Sequence, residues 1–160
     1  NTYLLERDYN WRGISIDNDQ DSVTKFNSSR VNRAIAQDAR TVDYRALDLP
    51  KDVEYLQVDC EPPHITLETL YKIPFDAHRF AIITFEHDDY RGGDTKIKSR
   101  EYIENLGYEL LISDISFNTK DSFEDWWIHP ELITKYITRK ELSKIKNTSA
   151  GAKNIFDIFL

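Results

Sequence analysis

Arg79-Phe-Ala-Ile-Ile-Thr-Phe-Glu86 is the most strand-like run of the chain, because it is almost continuously apolar, β-branched or aromatic. Such a run indicates a strand that is buried on both faces, as in a parallel sheet covered by helices. The polar residues Glu86-His87-Asp88-Asp89 close the run and follow it. Ligands bind at the carboxyl ends of strands in open α/β sheets, so we expect a functional site here.

Shorter β-rich runs alternate with helical patterns on both sides of this strand. This alternation predicts the α/β class, with a doubly wound, Rossmann-like, mostly parallel sheet and a late antiparallel strand pair. The predicted strands are 11–17, 39–44, 53–59, 79–86 and the late pair 108–117 and 123–128. The predicted helices are 1–9, 21–35, 66–71, 95–106 (ended by Gly107) and 130–146.

The order of these elements begins with a helix, whereas a doubly wound domain normally begins with a strand. The chain also contains no methionine, at position 1 or elsewhere. Both observations lead us to expect that the first strand is missing. We therefore predict a single, N-terminally incomplete domain over residues 1–146. A linker and an apolar tail follow over 147–160, and the tail is a candidate homodimer contact.

Composition narrows the range of partners. The net charge of the 160 residues is -7, which repels a phosphate backbone and argues against nucleic acid. No apolar run approaches the roughly 18 to 20 residues that a membrane span needs. Cys60 is the only cysteine, so the fold needs no internal disulfide. These features predict a cytoplasmic protein with neither nucleic acid nor a membrane as partner.

Two aspartates follow early elements of the pattern. Asp17 ends the strand 11–17, where a carboxylate can accept hydrogen bonds from ribose hydroxyls; Asp19 is the alternative. A solvated turn is the other interpretation of both residues. Asp38-Ala39 stands at a helix-to-strand junction, where the carboxylate fits an adenine amino group or an ordinary loop equally well.

Val58-Asp59-Cys60-Glu61-Pro62-Pro63-His64 is the densest polar group that follows a strand. Its acidic and histidine side chains have the chemistry to bind a metal, act as acid or base, or contact a cofactor. A strand end with a helix cap is the structural alternative. The group that begins at Glu86 has the same ambiguity, but its position after a buried strand favours function.

Five segments in this order resemble FkbM-like methyltransferases. The segments are Asn1–Glu6, Trp11–Asp17, Gln37–Tyr44, Tyr55–Glu61 and Phe80–Asp88. The likeness extends to about Phe117. Its most specific parts are Val-Asp-Cys-Glu, which is similar to the family's Asp-x-Glu-Gly turn, and Thr-Phe-Glu-His-Asp. The family's Gly-rich turn is not in this chain, and Pro62 stands where the family usually has Gly.

The resemblance implies a Rossmann-like fold, S-adenosyl-L-methionine as cofactor, and methyl transfer to a hydroxyl group of a small molecule such as a sugar or polyketide. It also implies roles by position. Asp17 would hold the ribose and Asp38-Ala39 the adenine; Asp59 and Glu61 would line the methionine end; Glu86 and His87 would face the acceptor.

For the chemistry we predict His87 as general base, with Asp59 and Glu86 as the other catalytic candidates. No metal ligand is assigned, and a divalent ion bridging Asp59 and Glu86 is not favoured. One alternative function is a non-catalytic Rossmann-like binding module. A less favoured alternative is a metal-dependent hydrolase that uses Asp59, Glu61, His64, Glu86 and His87.

Overall fold

The computed structural model describes residues 2–118 and 120–149 and shows an α/β protein. Its helices are α1 (Tyr3–Tyr9), α2 (Gln20–Ser29), α3 (Pro63–Leu70), α4 (Thr95–Asn105) and α5 (Arg139–Ser149). Its strands are β1 (Ile14–Asp17), β2 (Arg33–Ala36), β3 (Asp52–Val58), β4 (Arg79–Glu86), β5 (Glu109–Ser116) and β6 (Ser122–Ile128). Within these residues, no helix has the length and apolar character that crossing a membrane requires. Two compact units are formed, Asn1–Asp43 and Tyr44–Leu160.

The first unit is a small β-α-β arrangement in which β1 and β2 pair in parallel. Ile16 and Ile35 are register partners in this pair. Asp19 caps α2 by accepting hydrogen bonds from the backbone N–H groups of Asp21 and Ser22. Val23 of the helix and Ala34 of β2 are buried, so the helix covers one face of the strand pair.

The predicted helix over 21–35 is wrong at its end, since α2 stops at Ser29. The hydroxyl groups of Ser28 and Ser29 bond to the carbonyl of Lys25, which competes with the helical ladder. The Asn27 amide then exchanges two hydrogen bonds with the backbone of Ala34, at 3.0 and 2.8 Å. The chain therefore turns back into β2 instead of extending the helix.

The predicted strand over 39–44 is also wrong. Ala39–Thr41 forms a single 3-10 turn, because the Asp38 side chain accepts a hydrogen bond from the Arg40 N–H. The strand of this region is β2, which ends at Ala36. Asp38 therefore follows a strand instead of preceding one.

The second unit contains a four-stranded mixed sheet in the order β3-β4-β6-β5. Strand β4 pairs in parallel with β3 and antiparallel with β6, and β5 pairs antiparallel with β6. The α/β class, the bounds of β4 and the late antiparallel pair are confirmed. The Rossmann-like, doubly wound arrangement stays a prediction.

The core of this unit lies between the sheet and the helices α3 and α4. Its fully buried side chains include Leu70 of α3, Ile103 of α4, and Ile83, Phe85 and Trp127 of the sheet. Burying side chains of this size contributes about 1.5–3 kcal/mol each. The core therefore fixes the sheet against these two helices.

The last helix begins later than predicted. Pro130 is followed by a 3-10 turn over Ile133–Lys135, and α5 begins at Arg139. Thr138 and Glu141 form the reciprocal bonds of a capping box, with the Glu141 carboxylate accepting from Thr138 and the Thr138 hydroxyl accepting from the Glu141 N–H. The helix includes residues 147–149 of the predicted linker, and residues 150–160 lie outside the described part of the chain.

Gly107 tests the end of α4. It has φ +85° with no atom near an added Cβ, so Gly107→Ala introduces backbone strain without a steric clash. We expect a loss of about 1–2 kcal/mol in the free energy of unfolding, measured by urea titration. Glu101→Ala on the exposed face of the same helix should change little. Equal stability of the two variants would contradict the left-handed backbone of Gly107 at the end of α4.

Candidate functional site

The candidate site lies where β3 and β4 end side by side. Val58 and Phe85 are register partners in this parallel pair, so Asp59 and Glu86 leave the sheet as neighbours. The polar groups predicted after the strands 53–59 and 79–86 therefore lie next to each other in the structure. Both side chains lie at the edge where α/β sheets commonly bind ligands.

Four carboxylates gather at this position, and we call them the acidic edge: Asp59, Glu61, Glu86 and Asp88. The Glu86 side chain lies within hydrogen-bonding contact of Asp59 and Asp88. Carboxylate oxygens of Glu61, Glu86 and Asp88 all lie within 4.8 Å of one another. Like charges at this separation favour uptake of a proton by one of them.

Glu86 is the carboxylate that takes the proton. Burial first, and then the negative charges of Asp59 and Asp88, raise the pKa of Glu86 to about 8. Glu86 is half-buried, whereas Asp59 and Glu61 are exposed. At neutral pH, Glu86 is therefore mainly a carboxylic acid that loses its proton within about one pH unit of neutrality.

Arg91 supplies the positive charge of the acidic edge. The turn Asp89–Arg91 follows Asp88, which has a left-handed backbone with φ 46°. Two nitrogens of the Arg91 guanidinium donate to the Glu61 carboxylate, and Nε lies 3.3 Å from the Asp88 carboxylate. Among the described residues, neither Asp59 nor Glu86 takes part in an ion pair. Asp59 therefore keeps an unpaired negative charge beside Glu86, which favours the proton on Glu86.

Glu124 joins the site from β6 and was missed by the sequence reasoning. It is the antiparallel register partner of Glu86, so the two side chains share one face of the sheet. Burial raises the pKa of the Glu124 carboxyl, with the Asp59 charge adding to the effect, although the Trp126 indole N–H donates to it at 2.5 Å. The sequence predicted the strand that contains Glu124, but only the register of β6 against β4 shows that this residue lies opposite Glu86.

His87 is placed differently from its predicted role as general base. Its side chain is fully buried. Nδ1 accepts a hydrogen bond from the Asp89 N–H at 3.2 Å, and Nε2 lies 3.5 Å from an Asp125 carboxylate oxygen. Both ring nitrogens thus face protein groups, which favours Glu86 as the base; the catalytic role of His87 stays a prediction.

A network of ion pairs between α4 and the strands β5 and β6 lies next to His87. Arg100 of α4 donates to both carboxylate oxygens of Asp125, at 2.7 and 2.8 Å. Lys96, one turn earlier, lies 2.7 Å from Asp114 of β5. Although burial alone acts in the opposite direction, Arg100 and His87 hold the pKa of Asp125 well below its usual range. Asp125 is therefore a carboxylate at neutral pH.

Within residues 2–118 and 120–149, two groups of side chains have the composition of a metal site, namely Glu61-Glu86-Asp88 and His87-Asp114-Asp125. Arg91 pairs with Glu61 and Asp88 in the first group, and Arg100 with Lys96 pairs with the aspartates of the second. A cation would have to displace these ion pairs. We therefore assign no metal ligand in either group.

The predicted cofactor residues of the first unit lie at its strand ends. Asp17 is exposed at the end of β1 and accepts a hydrogen bond from the Asp19 N–H at 2.8 Å. Asp38 forms an ion pair with Arg40 at 2.6 Å, and this guanidinium lowers the pKa of Asp38 to about 2. Ala39 begins the 3-10 turn. Their roles toward ribose and adenine stay predictions.

Comparisons with known proteins give no assignment: no family model, curated protein or solved structure matches the chain. The likeness to FkbM-like methyltransferases therefore rests on the segments quoted above. The functional argument below starts from the charges and contacts of the acidic edge.

Removing the Arg100–Asp125 ion pair tests how much the network next to His87 stabilises the fold. Arg100→Met leaves a buried carboxylate without its partner, so we expect a loss of about 3–5 kcal/mol in the free energy of unfolding at pH 7. Lys98→Met removes an exposed ion pair of the same helix, to Asp94, and should have little effect. Similar urea midpoints for the two variants would contradict the importance of this buried pair.

Glu86 makes stability depend on pH in a defined direction. Its pKa is raised in the folded chain, so the folded state keeps a proton that the unfolded chain releases near pH 4.3. This contribution is fully present below about pH 4.3 and is lost as pH rises toward about 8. We expect wild type to lose stability relative to Glu86→Gln between pH 5 and 8, as measured by urea unfolding followed by tryptophan fluorescence.

The exposed residue Glu104 provides the control. Glu104→Gln should follow the wild-type pH dependence. A constant difference between wild type and Glu86→Gln across this range would show that Glu86 titrates normally.

Proposed function

We propose that the protein is an S-adenosyl-L-methionine-dependent methyltransferase that methylates a hydroxyl group of a small acceptor, such as a sugar or polyketide. The observation that carries the proposal is the position of Glu86 beside Asp59 and Asp88 at the carboxyl ends of two parallel strands, where burial and these charges raise its pKa. The resemblance to FkbM-like methyltransferases supports the same reaction.

The acidic edge suits the cofactor by its charge. S-adenosyl-L-methionine carries a positive sulfonium and a positive ammonium group, and four carboxylates with one arginine leave a net negative surface. Asp59 and Glu61 would hold the methionine end. By the resemblance alone, the exposed Asp17 is the candidate for the ribose hydroxyls and Asp38-Ala39 for the adenine. When bound, the cofactor supplies an electrophilic methyl group.

The chain's own contribution is to hold the acceptor hydroxyl and remove its proton. The ionised Glu86 carboxylate would take that proton as the acceptor oxygen bonds to the methyl carbon, while the methyl–sulfur bond breaks and S-adenosylhomocysteine leaves. A base with a pKa near 8 combines useful basicity with a substantial ionised fraction close to neutral pH. Glu124, opposite Glu86 on the same face, would accept a hydrogen bond from a second acceptor hydroxyl.

A non-catalytic binding module is the second candidate. The observation that favours it is that Arg91 occupies Glu61 and Asp88, while Arg40 occupies Asp38. In this case the paired carboxylates stabilise the fold and bind no cofactor. A metal-dependent hydrolase has less support. His87 is buried, and the positively charged guanidinium of Arg91 already lies in the acidic edge.

Binding of S-adenosylhomocysteine separates the first two candidates. We expect one-to-one, micromolar binding in a calorimetric titration of the full-length gene product that contains this chain. Asp17→Asn and Glu61→Gln should each weaken the binding, whereas Glu104→Gln on the exposed face of α4 should not. A folded protein that binds no S-adenosylhomocysteine would favour the binding module.

Glu86→Gln tests the proposed base. Loss of a general base lowers kcat by about 10²–10⁴-fold, whereas the affinity for S-adenosylhomocysteine should change little. Wild-type kcat should rise with pH toward a plateau above about pH 8, and this rise should be absent in the variant. The assay follows release of S-adenosylhomocysteine with a panel of sugars and polyketides; an unchanged kcat would exclude Glu86 as the base.

A further inference from the structure

His87 is the buried titratable group that the proposed reaction does not use. It lies between Glu86 and Asp88 in sequence, and its side chain has no solvent exposure. The backbone N–H groups of His87 and Asp88 both donate to the Phe123 carbonyl, at 2.7 and 3.0 Å. Strand β6 therefore fixes the start of the turn, and the His87 ring lies beneath the rest of it.

The protonation state of the ring follows from its contacts. Nδ1 accepts a hydrogen bond from the Asp89 N–H, a bond that needs the neutral ring with no hydrogen on Nδ1. The hydrogen of the neutral ring is on Nε2, which faces Asp125 at 3.5 Å without forming a hydrogen bond of good geometry. The ring is thus well bonded at one nitrogen and poorly bonded at the other.

We propose that His87 is a proton-operated switch for the turn over residues 88–92, which positions Asp88 and Arg91 beside Glu86. Protonation places a hydrogen on Nδ1, where it opposes the Asp89 N–H, because both groups are then donors. The turn loses the hydrogen bond at the Asp89 N–H, while the Asp89 carboxylate keeps its contacts with Lys96 and Ser122. At the same time, the imidazolium gains a charge-assisted contact with Asp125.

Charged side chains surround the His87 ring. Carboxylates face it from three elements: Asp125 and Glu124 of β6, Asp114 of β5, and Asp89 of the turn itself. Two cations of α4, Arg100 and Lys96, pair with this set. Negative charge is in excess, which offsets part of the cost of burying an imidazolium.

The switch would regulate the site because the turn carries the charges that control Glu86. Asp88 helps to raise the pKa of Glu86, and Arg91 neutralises Glu61 and Asp88. Loosening of the turn in acid would act on Arg91 and its pairs with Glu61 and Asp88, whereas the Asp88 N–H stays bonded to Phe123. This effect on catalysis rests on the proposed function, whereas the movement of the turn does not.

The test is a titration of the ¹⁵N-labelled chain by nuclear magnetic resonance from pH 7.5 to 5, without cofactor. The ring nitrogens of His87 report its protonation, and the Asp89 amide reports the turn. We expect the Asp89 amide proton to move upfield with the His87 midpoint. We also expect its hydrogen-exchange protection factor to fall about five- to tenfold, as for the loss of one hydrogen bond.

His87→Asn keeps an acceptor oxygen near the Nδ1 position but cannot titrate. In this variant the Asp89 amide should not respond to pH across the range. His64→Asn, which changes an exposed histidine near the same edge, should keep the wild-type response. If His87→Asn does not fold, the wild-type titration alone decides.

Three results would overturn the proposal. These are a His87 ring that stays neutral until the chain unfolds, a His87 titration that leaves the Asp89 amide unchanged, and a response that persists in His87→Asn. The readout needs neither cofactor nor acceptor. Failure of S-adenosylhomocysteine binding therefore bears on the proposed function alone, and a silent Asp89 amide bears on the switch alone.

Discussion

Pairing of β4 on both sides is the constraint on which the second unit depends. The strand lies between parallel β3 and antiparallel β6, so its backbone is hydrogen-bonded on both sides and most of its residues are buried. Its last residue, Glu86, then emerges beside Asp59 from one neighbour and Glu124 from the other. The register of β4 with its two neighbours therefore brings these three carboxylates together.

The same constraint explains how the charges divide. Asp125, one residue beyond Glu124 on β6, points to the other face of the sheet, since successive strand residues alternate. There Arg100 of α4 neutralises it inside the protein. On the opposite face, Glu86 and Glu124 have no such cation among the described residues, and burial raises the pKa of each. One face is thus stabilised by ion pairs, while the other retains reactive carboxylates.

Much of this arrangement could be predicted from local sequence patterns. The run 79–86 was predicted with correct bounds because a buried strand has a strong compositional signal. The helix over 21–35 was extended too far because Val31 and Ile35 continue an apolar stripe, which cannot show that serine hydroxyls and Asn27 end the helix. The late start of α5 was predictable in principle, because Thr138 and Glu141 have the spacing of a capping box.

The site itself depends on contacts that sequence does not encode locally. Asp59, Glu61 and Glu86 were found because strand ends are recognisable. Glu124 required the register of β6 against β4, and Arg91 required the conformation of the turn after Asp88. His87 was chosen as a base by residue type, whereas its burial depends on β6 and α4 closing over it. Long-range packing therefore decides which of these polar groups can react.

The most direct test of this account is the protonation of Glu86 itself. A ¹³C titration of the glutamate side-chain carboxyl groups, with Glu86→Gln used to assign the signal, measures that pKa without any ligand. The account predicts a midpoint near the raised value of about 8. A midpoint near the ordinary glutamate value of about 4.3 would contradict the coupling of Glu86 to Asp59 and Asp88 and remove the main support for the proposed base.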